Sequence, residues 1–444
     1  MRVIIVGAGQ VGSSIAESLD DDHEVVVIDT DDSRVESLTY SLDVLAIEGD
    51  GTSLATLREA DVGAADLFIA STDDDETNIV TCATAKTASD AFTIARVRST
   101  NYLQTWEESG GAFGVDFMVS TNLLAAETIT RIIGLPAAQN VDVFAEGSVL
   151  LAEFCIPTNS PIAGQTVAEA DDQFNELTVA AVLHEDGLIV PDGETKLATG
   201  DEIVVIGSAE STRAFAADLA TDRDENRDVV IIGGSEIAVQ TAELLEDRGL
   251  QPRLIENDPD RARELAERLP QTTVMSSDAT DREFLTREHV GDADVAIAAL
   301  GSDEKNLLAS LLADRVGVDR TIAVVESGEY TDLFEAVGVD AAINPRDATA
   351  EEIIRFTLDG RMENVAIIDH DRAEVLEIQI DDDSALAGRP ITDATDDLPA
   401  RVTIGAITRD GEFITPRGDT VVEVGDHVVV FVETEAVDAV ASRL

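Results

Sequence analysis

Gly7, Gly9 and Gly12, in "VGAGQVG", have the spacing of a loop that holds an anion on backbone amides. Gly7 permits a tight turn, Gly9 lets a phosphate approach the backbone, and Gly12 lets a helix pack on a sheet. Ala8, Gln10 and Val11 complete the loop, and the free amides at the start of the following helix supply the donors. Asp29 follows the apolar run "VVVI" at the distance where a carboxylate takes both ribose hydroxyls. The chemistry this implies is binding of an adenine nucleotide or dinucleotide. An acidic Asp29 with no arginine beside it argues against a 2′-phosphate, and hence against NADP. A sheet that had lost its ligand would keep the same strand and turn.

Two further polar patches stand just after expected strands: "GDGTS" (49–53), with Asp50, and "STDDDETN" (71–78), with Thr72 and Asp73. Open α/β sheets bind ligands at that edge, although Gly, Asp, Thr and Asn also favour plain turns. Arg98, in "IARVRST" (94–100), ends another strand on the same edge. A guanidinium there suits a phosphate or a surface ion pair.

The elements that must position these residues are legible in the pattern. Residues 1–119 alternate apolar strands, near 2–6, 24–28, 44–48, 66–70, 92–97 and 116–119, with amphipathic stretches. Such alternation predicts a Rossmann-like, doubly wound parallel sheet. "TNLLAAETITRIIG" (121–134) predicts one more amphipathic helix. Residues 141–222 change character, to short strands, a hairpin at "HEDG" (184–187) and a helix near 209–220, which is a smaller α+β domain.

The chain is then written a second time. "VIIVGAGQVGSSIAESL" (3–19) recurs as "VVIIGGSEIAVQTAELL" (229–245), and "LATGDEIVVIG" (197–207) as "VEVGDHVVVFV" (422–432). The fold class is therefore α/β by tandem duplication. Domains are expected at 1–135, 136–222, 228–360 and 361–444, with a second hairpin at "TRDG" (408–411) and a polar linker at 221–228. A second site would use Gly233, Gly234, Ser235, Glu236, Ile237, Glu256 and Asp278. Ser235 replaces Gly9 and places a Cβ where backbone should meet phosphate. Glu236 replaces Gln10 and brings a carboxylate to a helix N-terminus, in competition with an anion for the amides. Glu326 stands in place of Arg98.

Composition narrows the partners. Asp and Glu number 90 against 30 basic residues, a formal net charge of −60, spread along the chain with lysine only at 86, 196 and 305. Such a surface fits a cytoplasm of molar salt, where charges are screened within about 3 Å, and it argues against nucleic acid as a partner. No run approaches the ~18 apolar residues of a membrane span, and the N-terminus enters a strand at once, unlike a signal peptide. The two cysteines and five histidines show no metal-ligand spacing.

The motifs "GAGQVG", "GDGTS", "TDDDETN" and "ARVRS-x-x-Y", in an order of Rossmann and small domains repeated over the whole chain, resemble the RCK (KTN) family. The resemblance implies RCK N-type and C-type domains and a non-enzymatic regulatory subunit at the inner face of the cell membrane. It implies binding of NAD(H) or ATP/ADP, and a homotetrameric ring beneath a TrkH-like potassium translocator, gated by conformational change. By it, residues 7–12 carry the phosphate loop, Asp29 the ribose, Asp50 the adenine end, Thr72 and Asp73 the middle of the nucleotide, and Arg98 the terminal phosphates. Two alternatives stay open. One is an NAD-dependent dehydrogenase, for which His184 and His427 show no charged partner by spacing. The other is an RCK-type regulator of a different cation transporter or antiporter.

Overall fold

The structure is a computed structural model. It describes all residues except 21–22, 136–137, 158–159, 175–176, 185–186, 220–227, 356–361, 369–372, 396–397, 410 and 442. The expected linker, save Asp228, and the turn residues 185–186 and 410 of the two hairpins lie outside the described residues.

The first lobe holds strands β1 (Arg2–Val6), β2 (Glu24–Asp29), β3 (Leu45–Glu48), β4 (Leu67–Ala70), β5 (Phe92–Val97) and β6 (Phe117–Ser120). Helices α1 (Gln10–Leu19), α2 (Asp32–Ser41), α3 (Leu54–Glu59), α4 (Asp75–Lys86), α5 (Thr100–Ser109) and α6 (Thr121–Gly134) connect and follow them. All strand pairs are parallel, in the order β3-β2-β1-β4-β5-β6. The order reverses between β1 and β4, so a crevice opens at their carboxyl ends, where the ligand edge of such a sheet lies. Runs such as "VIIV" and "LFIA" are buried on both faces, as central parallel strands require.

The first small domain comprises β7 (Ala138–Phe144), β8 (Val149–Cys155), α7 (Val167–Gln173), β9 (Leu177–His184), β10 (Gly187–Ile189), β11 (Glu202–Ser208) and α8 (Ala209–Leu219). Its sheet is antiparallel, ordered β10-β9-β11-β8-β7, and Gly187 pairs with His184 across the first hairpin.

The second lobe repeats the first with β12 (Val229–Ile232), β13 (Arg253–Glu256), β14 (Thr273–Ser276), β15 (Val295–Ala298), β16 (Arg320–Val324) and β17 (Ala341–Ile343) in the matching order β14-β13-β12-β15-β16-β17. Its helices are α9 (Glu236–Asp247), α10 (Pro259–Arg268), α11 (Arg282–Arg287), α12 (Asp303–Val316), α13 (Thr331–Ala336) and α14 (Pro345–Arg355). The second small domain has β18 (Met362–Ile368), β19 (Ala373–Gln379), α15 (Ile391–Thr395), β20 (Val402–Arg409), β21 (Glu412–Ile414), β22 (His427–Glu433) and α16 (Val437–Ala441), with the same sheet order as its counterpart.

The compact units do not follow chain order. Met1–Ile129 and Arg227–Thr357 form one, and Thr130–Asn226 and Leu358–Leu444 the other. In the first unit the two lobes meet along α1 and α14. In the second unit the two small-domain sheets share a single core, with Phe144, Leu151 and Val204 of one packed in a cluster with Val375, Val429 and Phe431 of the other. Pairing the copies buries apolar sheet faces that neither copy covers alone.

His184, which shows no charged partner by spacing, has one in the fold: its Nδ1 lies 2.7 Å from Asp201 Oδ1. The equivalent tie in the second small domain joins Arg409 to Asp426, at 2.7 and 2.8 Å. Recurrence of the tie in both copies marks it as structural. Burial alone would raise the pKa of Asp426, but hydrogen bonds from Arg409 and from the Glu423 amide, with the arginine charge, hold it below the ordinary value. The stabilisation from a depressed carboxyl is complete above its unfolded pKa, about 3.9, and drains away as pH falls through the folded value. Asp426→Asn is therefore expected to lower the thermal midpoint at neutral pH and to flatten its decline below about pH 4. Calorimetric scans across pH in molar KCl check this, and an unchanged acid-side slope would refute it.

Candidate functional site

The first glycine loop is built as its spacing requires. Gly7 has φ +108°, and a Cβ there would come within 2.9 Å of the Thr72 amide nitrogen. A Cβ on Gly12 would stand 1.8 Å from the Gly7 carbonyl oxygen, so α1 approaches the turn as closely as backbone permits. Gly9 is different. A Cβ there meets only Arg34 Nη1, at an ordinary 3.8 Å, so the protein's own packing does not demand glycine. Gly9 also N-caps α1 without any side-chain hydrogen bond to the helix amides. The loop thus leaves polarised donors at a helix start with no side chain over them, the arrangement that takes a phosphate. Ala8 and Val11 are buried beneath the loop.

Asp29 ends β2 and is fixed from two sides. Its Oδ2 accepts from the Ala8 amide at 2.6 Å and its Oδ1 from the Asp31 amide at 2.8 Å. The expectation of no neighbouring arginine is corrected here: Arg34 Nη1 lies 3.8 Å from Asp29 Oδ2. Asp31 caps α2, and the first turn of that helix carries Arg34 back over the strand end. Arg34 thus supplies a cation beside Asp29, where a 2′-phosphate could be met. Asp50 accepts from the Thr52 amide and hydroxyl at 2.9 and 2.7 Å, and these bonds, the hydroxyl's first, lower its pKa.

Thr72 and Asp73 sit between β4 and α4 in a loop locked by Asn78, a fully buried residue. Asn78 Oδ1 accepts from the Thr72 amide and hydroxyl at 2.9 and 2.6 Å, and its Nδ2 donates to the carbonyls of Thr72 and Arg96. The Thr72 hydroxyl is thereby committed to closing the loop. Asp73 is held by two guanidiniums, Arg96 at 3.2 Å and Arg98 in a closer ion pair. Burial would raise the Asp73 pKa, but Arg98 and then Arg96 outweigh it and the net shift is downward.

Arg96, absent from the residues picked out by spacing, is the most deeply set cation at the site, 3% exposed. Its Nε donates to Thr121 Oγ1 at 2.9 Å, and its Nη1 reaches the carbonyls of Ser71 and Thr72 at 3.4 and 3.3 Å. A charged residue inside the apolar strand "FTIARV" was the available signal. Arg98 is about half exposed. It opens on a cleft of about 900 Å³ whose far wall is Glu236, Gln240, Glu243 and Arg268 of the second lobe.

The second loop keeps the turn and loses the openings. Gly233 has φ +107° like Gly7, but the Ser235 hydroxyl accepts from the Ala238 amide at 3.3 Å and caps α9. Glu236 does not compete for those amides, a second correction. Its carboxylate instead bonds to Arg268 at 3.1 Å and Gln240 at 3.2 Å. Glu256 reaches into the loop, so that a Cβ on Gly234 would stand 2.5 Å from its Oε2. Arg261, the counterpart of Arg34, donates to the Gly234 carbonyl at 3.2 Å. Ile237 is buried, and Asp278 keeps the turn of Asp50 by accepting from Thr280. The Asn78 lock recurs as Asn306, yet the Asp73, Arg96 and Arg98 positions become Gly301, Val324 and Glu326.

Comparison with known proteins agrees with the duplicated architecture. Residues 3–121 and 229–345 match the TrkA-N domain, and 151–220 and 375–444 match the TrkA-C domain. Trk system potassium uptake protein TrkA homolog 1 of Methanosarcina mazei is 35% identical, with 97% of each chain covered. Trk system potassium uptake protein TrkA of Halomonas elongata is 34% identical over 97% of this chain and 96% of its own. Among solved structures, the GsuK RCK domain aligns with a TM-score of 0.60 at 20% identity, over 100% of this chain and 95% of that one. A GsuK channel bound to NAD aligns equally well, covering 78% of that chain. These two show a shared RCK fold. With family models over both halves and relatives above 30% identity along nearly its full length, this chain belongs to the TrkA family of Trk system potassium uptake proteins.

Proposed function

We propose that the protein is the nucleotide-responsive regulatory subunit of a Trk-type potassium-uptake system. The observation that carries this reading is the open start of α1, uncapped behind a Gly9 that the protein's own packing does not require. Asp29 lies beside it to take ribose, and Arg96 and Arg98 supply positive charge at the same sheet edge. NAD(H) and ATP/ADP are the ligands this set fits, and the GsuK channel solved with NAD supports the assignment to this fold. The second loop, capped by Ser235 and lacking the arginines, is the weaker or ligand-free partner.

The action is conformational. Nucleotide identity biases the arrangement of the two lobes, and a tetrameric ring at the inner membrane face passes that bias to a TrkH-like potassium translocator. Such coupling needs only different affinities for two global states, and no chemistry on the ligand. Among the described residues no helix is long and apolar enough to cross a membrane; in this reading the pore is the translocator's.

Titration calorimetry in molar KCl tests the reading. We expect one strong site per chain for ATP or NADH, and two equal strong sites would overturn the asymmetry. Arg98→Ala is expected to weaken ATP about ten-fold and NADH less, as loss of a charge-assisted bond to terminal phosphates predicts. Equal losses would remove Arg98 from that role.

A further inference from the structure

The phosphate loop of the first lobe is touched by a cation from the second. Arg346 opens α14, and its Nη1 donates to Gln10 Oε1, inside the loop, at 3.0 Å. The same guanidinium is anchored in its own lobe, at 2.5 Å from the Glu326 carbonyl and 3.5 Å from the Glu326 carboxylate. It is about a quarter exposed. We propose that Arg346 completes the first-lobe site as a phosphate-reading arginine supplied by the second lobe, with Glu326 as the counter-ion that releases it when nucleotide binds.

Four observations converge on this. Gln10 is the first residue of α1, so the guanidinium bonds to a side chain of the uncapped first turn. The charge of Arg346 is felt at both Asp73 and Arg96, so it belongs to the same electrostatic cluster. A second connection runs parallel to it: Arg96 donates to Thr121, whose hydroxyl accepts from the buried Thr349 one turn further along α14. The joint is also incompletely satisfied, since Asn344 Nδ2 is buried without a hydrogen-bond partner beside Gly328 and the Gln10 amide. A phosphate at α1 attracts Arg346 away from Glu326, which shifts α14 relative to α1 and so makes lobe geometry depend on ligand.

The inference rests on the reading of the first lobe as a nucleotide site, and ATP titration of the full chain in molar KCl separates the two. Wild-type protein that binds no ATP would end both. Given binding, Arg346→Ala is expected to weaken ATP about ten-fold. Glu326→Gln, which frees the guanidinium, is expected to tighten it about three-fold. The double variant is expected to match Arg346→Ala alone, because the carboxylate acts only through the arginine. A merely structural Arg346 would give no gain on Glu326→Gln. Unchanged or weakened binding in that variant, or Arg346→Ala within two-fold of wild type, would overturn the proposal while leaving the nucleotide site standing.

Discussion

A first lobe carrying the loop residues of the second, Gly9→Ser with Gln10→Glu, is expected to lose nucleotide affinity about 100-fold, roughly 2.7 kcal/mol. Serine at position 9 would cap the α1 amides as Ser235 caps α9, an interaction worth roughly a few tenths of a kcal/mol over glycine that a phosphate must displace. Glutamate at position 10 would meet Arg346, now 3.0 Å from the glutamine oxygen, and pair with it. That pairing withdraws a cation from the ligand and adds a like charge beside it, at an energy that molar salt reduces but does not abolish. The fold should survive, because the second lobe already carries both residues on the same strand and turn. Calorimetry of the double variant with ATP is the measurement, and affinity within three-fold of wild type would sink the account. The reverse exchange, Ser235→Gly with Glu236→Gln, is expected to create no strong second site, because Gly301, Val324 and Glu326 leave that edge without its cations.

Arg96→Met is expected to cost about 2–3 kcal/mol of stability and to abolish strong nucleotide binding. Methionine replaces the aliphatic stem, but not the bonds to Thr121, the carbonyls of Ser71 and Thr72, and the carboxylate of Asp73. The 71–73 loop would keep its Asn78 lock, and the ion pair of Asp73 with Arg98 would remain without its buried support. Denaturant unfolding followed by ATP titration measures both effects. The second lobe shows how the same strand does without the charge. With Val324 at this position, Gly301 replaces the aspartate, so the carboxylate that Arg96 neutralises is gone as well. Arg96→Met protein that binds ATP at wild-type strength would reduce Arg96 to a packing residue.

The glycine loop, the β/α alternation and the duplication were legible because each is local in sequence. Helix 121–134 could be read from apolar periodicity alone, and the structure gives Thr121–Gly134. The cations were not legible in the same way. Arg34 is five residues from Asp29, too far to be a neighbour in an extended chain, yet one helical turn returns it to 3.8 Å. The contact of Arg346 with Gln10 spans 336 residues and depends on how two lobes dock, which no local pattern encodes. Sequence analogy alone places the Glu236 carboxylate at the amides of its own helix start. The fold supplies Arg268 instead, from the end of α10, and the carboxylate turns to it. The Asn78 lock was within reach, because Asn306 repeats it at the equivalent place.

The contact between Arg346 and Gln10 also has a history. Asn122 holds the place in the first lobe that Arg346 holds in the second, each donating to the carbonyl of the residue just past the fifth strand. In a dimer of identical subunits, an arginine facing a glutamine across the two-fold would have to appear on both sides. Two copies within one chain are free of that requirement. Each half of the joint could then mutate alone, leaving Asn122 and Glu236 on one side and Arg346 and Gln10 on the other. What would be a symmetric handshake in such a dimer is here a directional link, in which the second copy supplies an arginine to the glycine loop of the first.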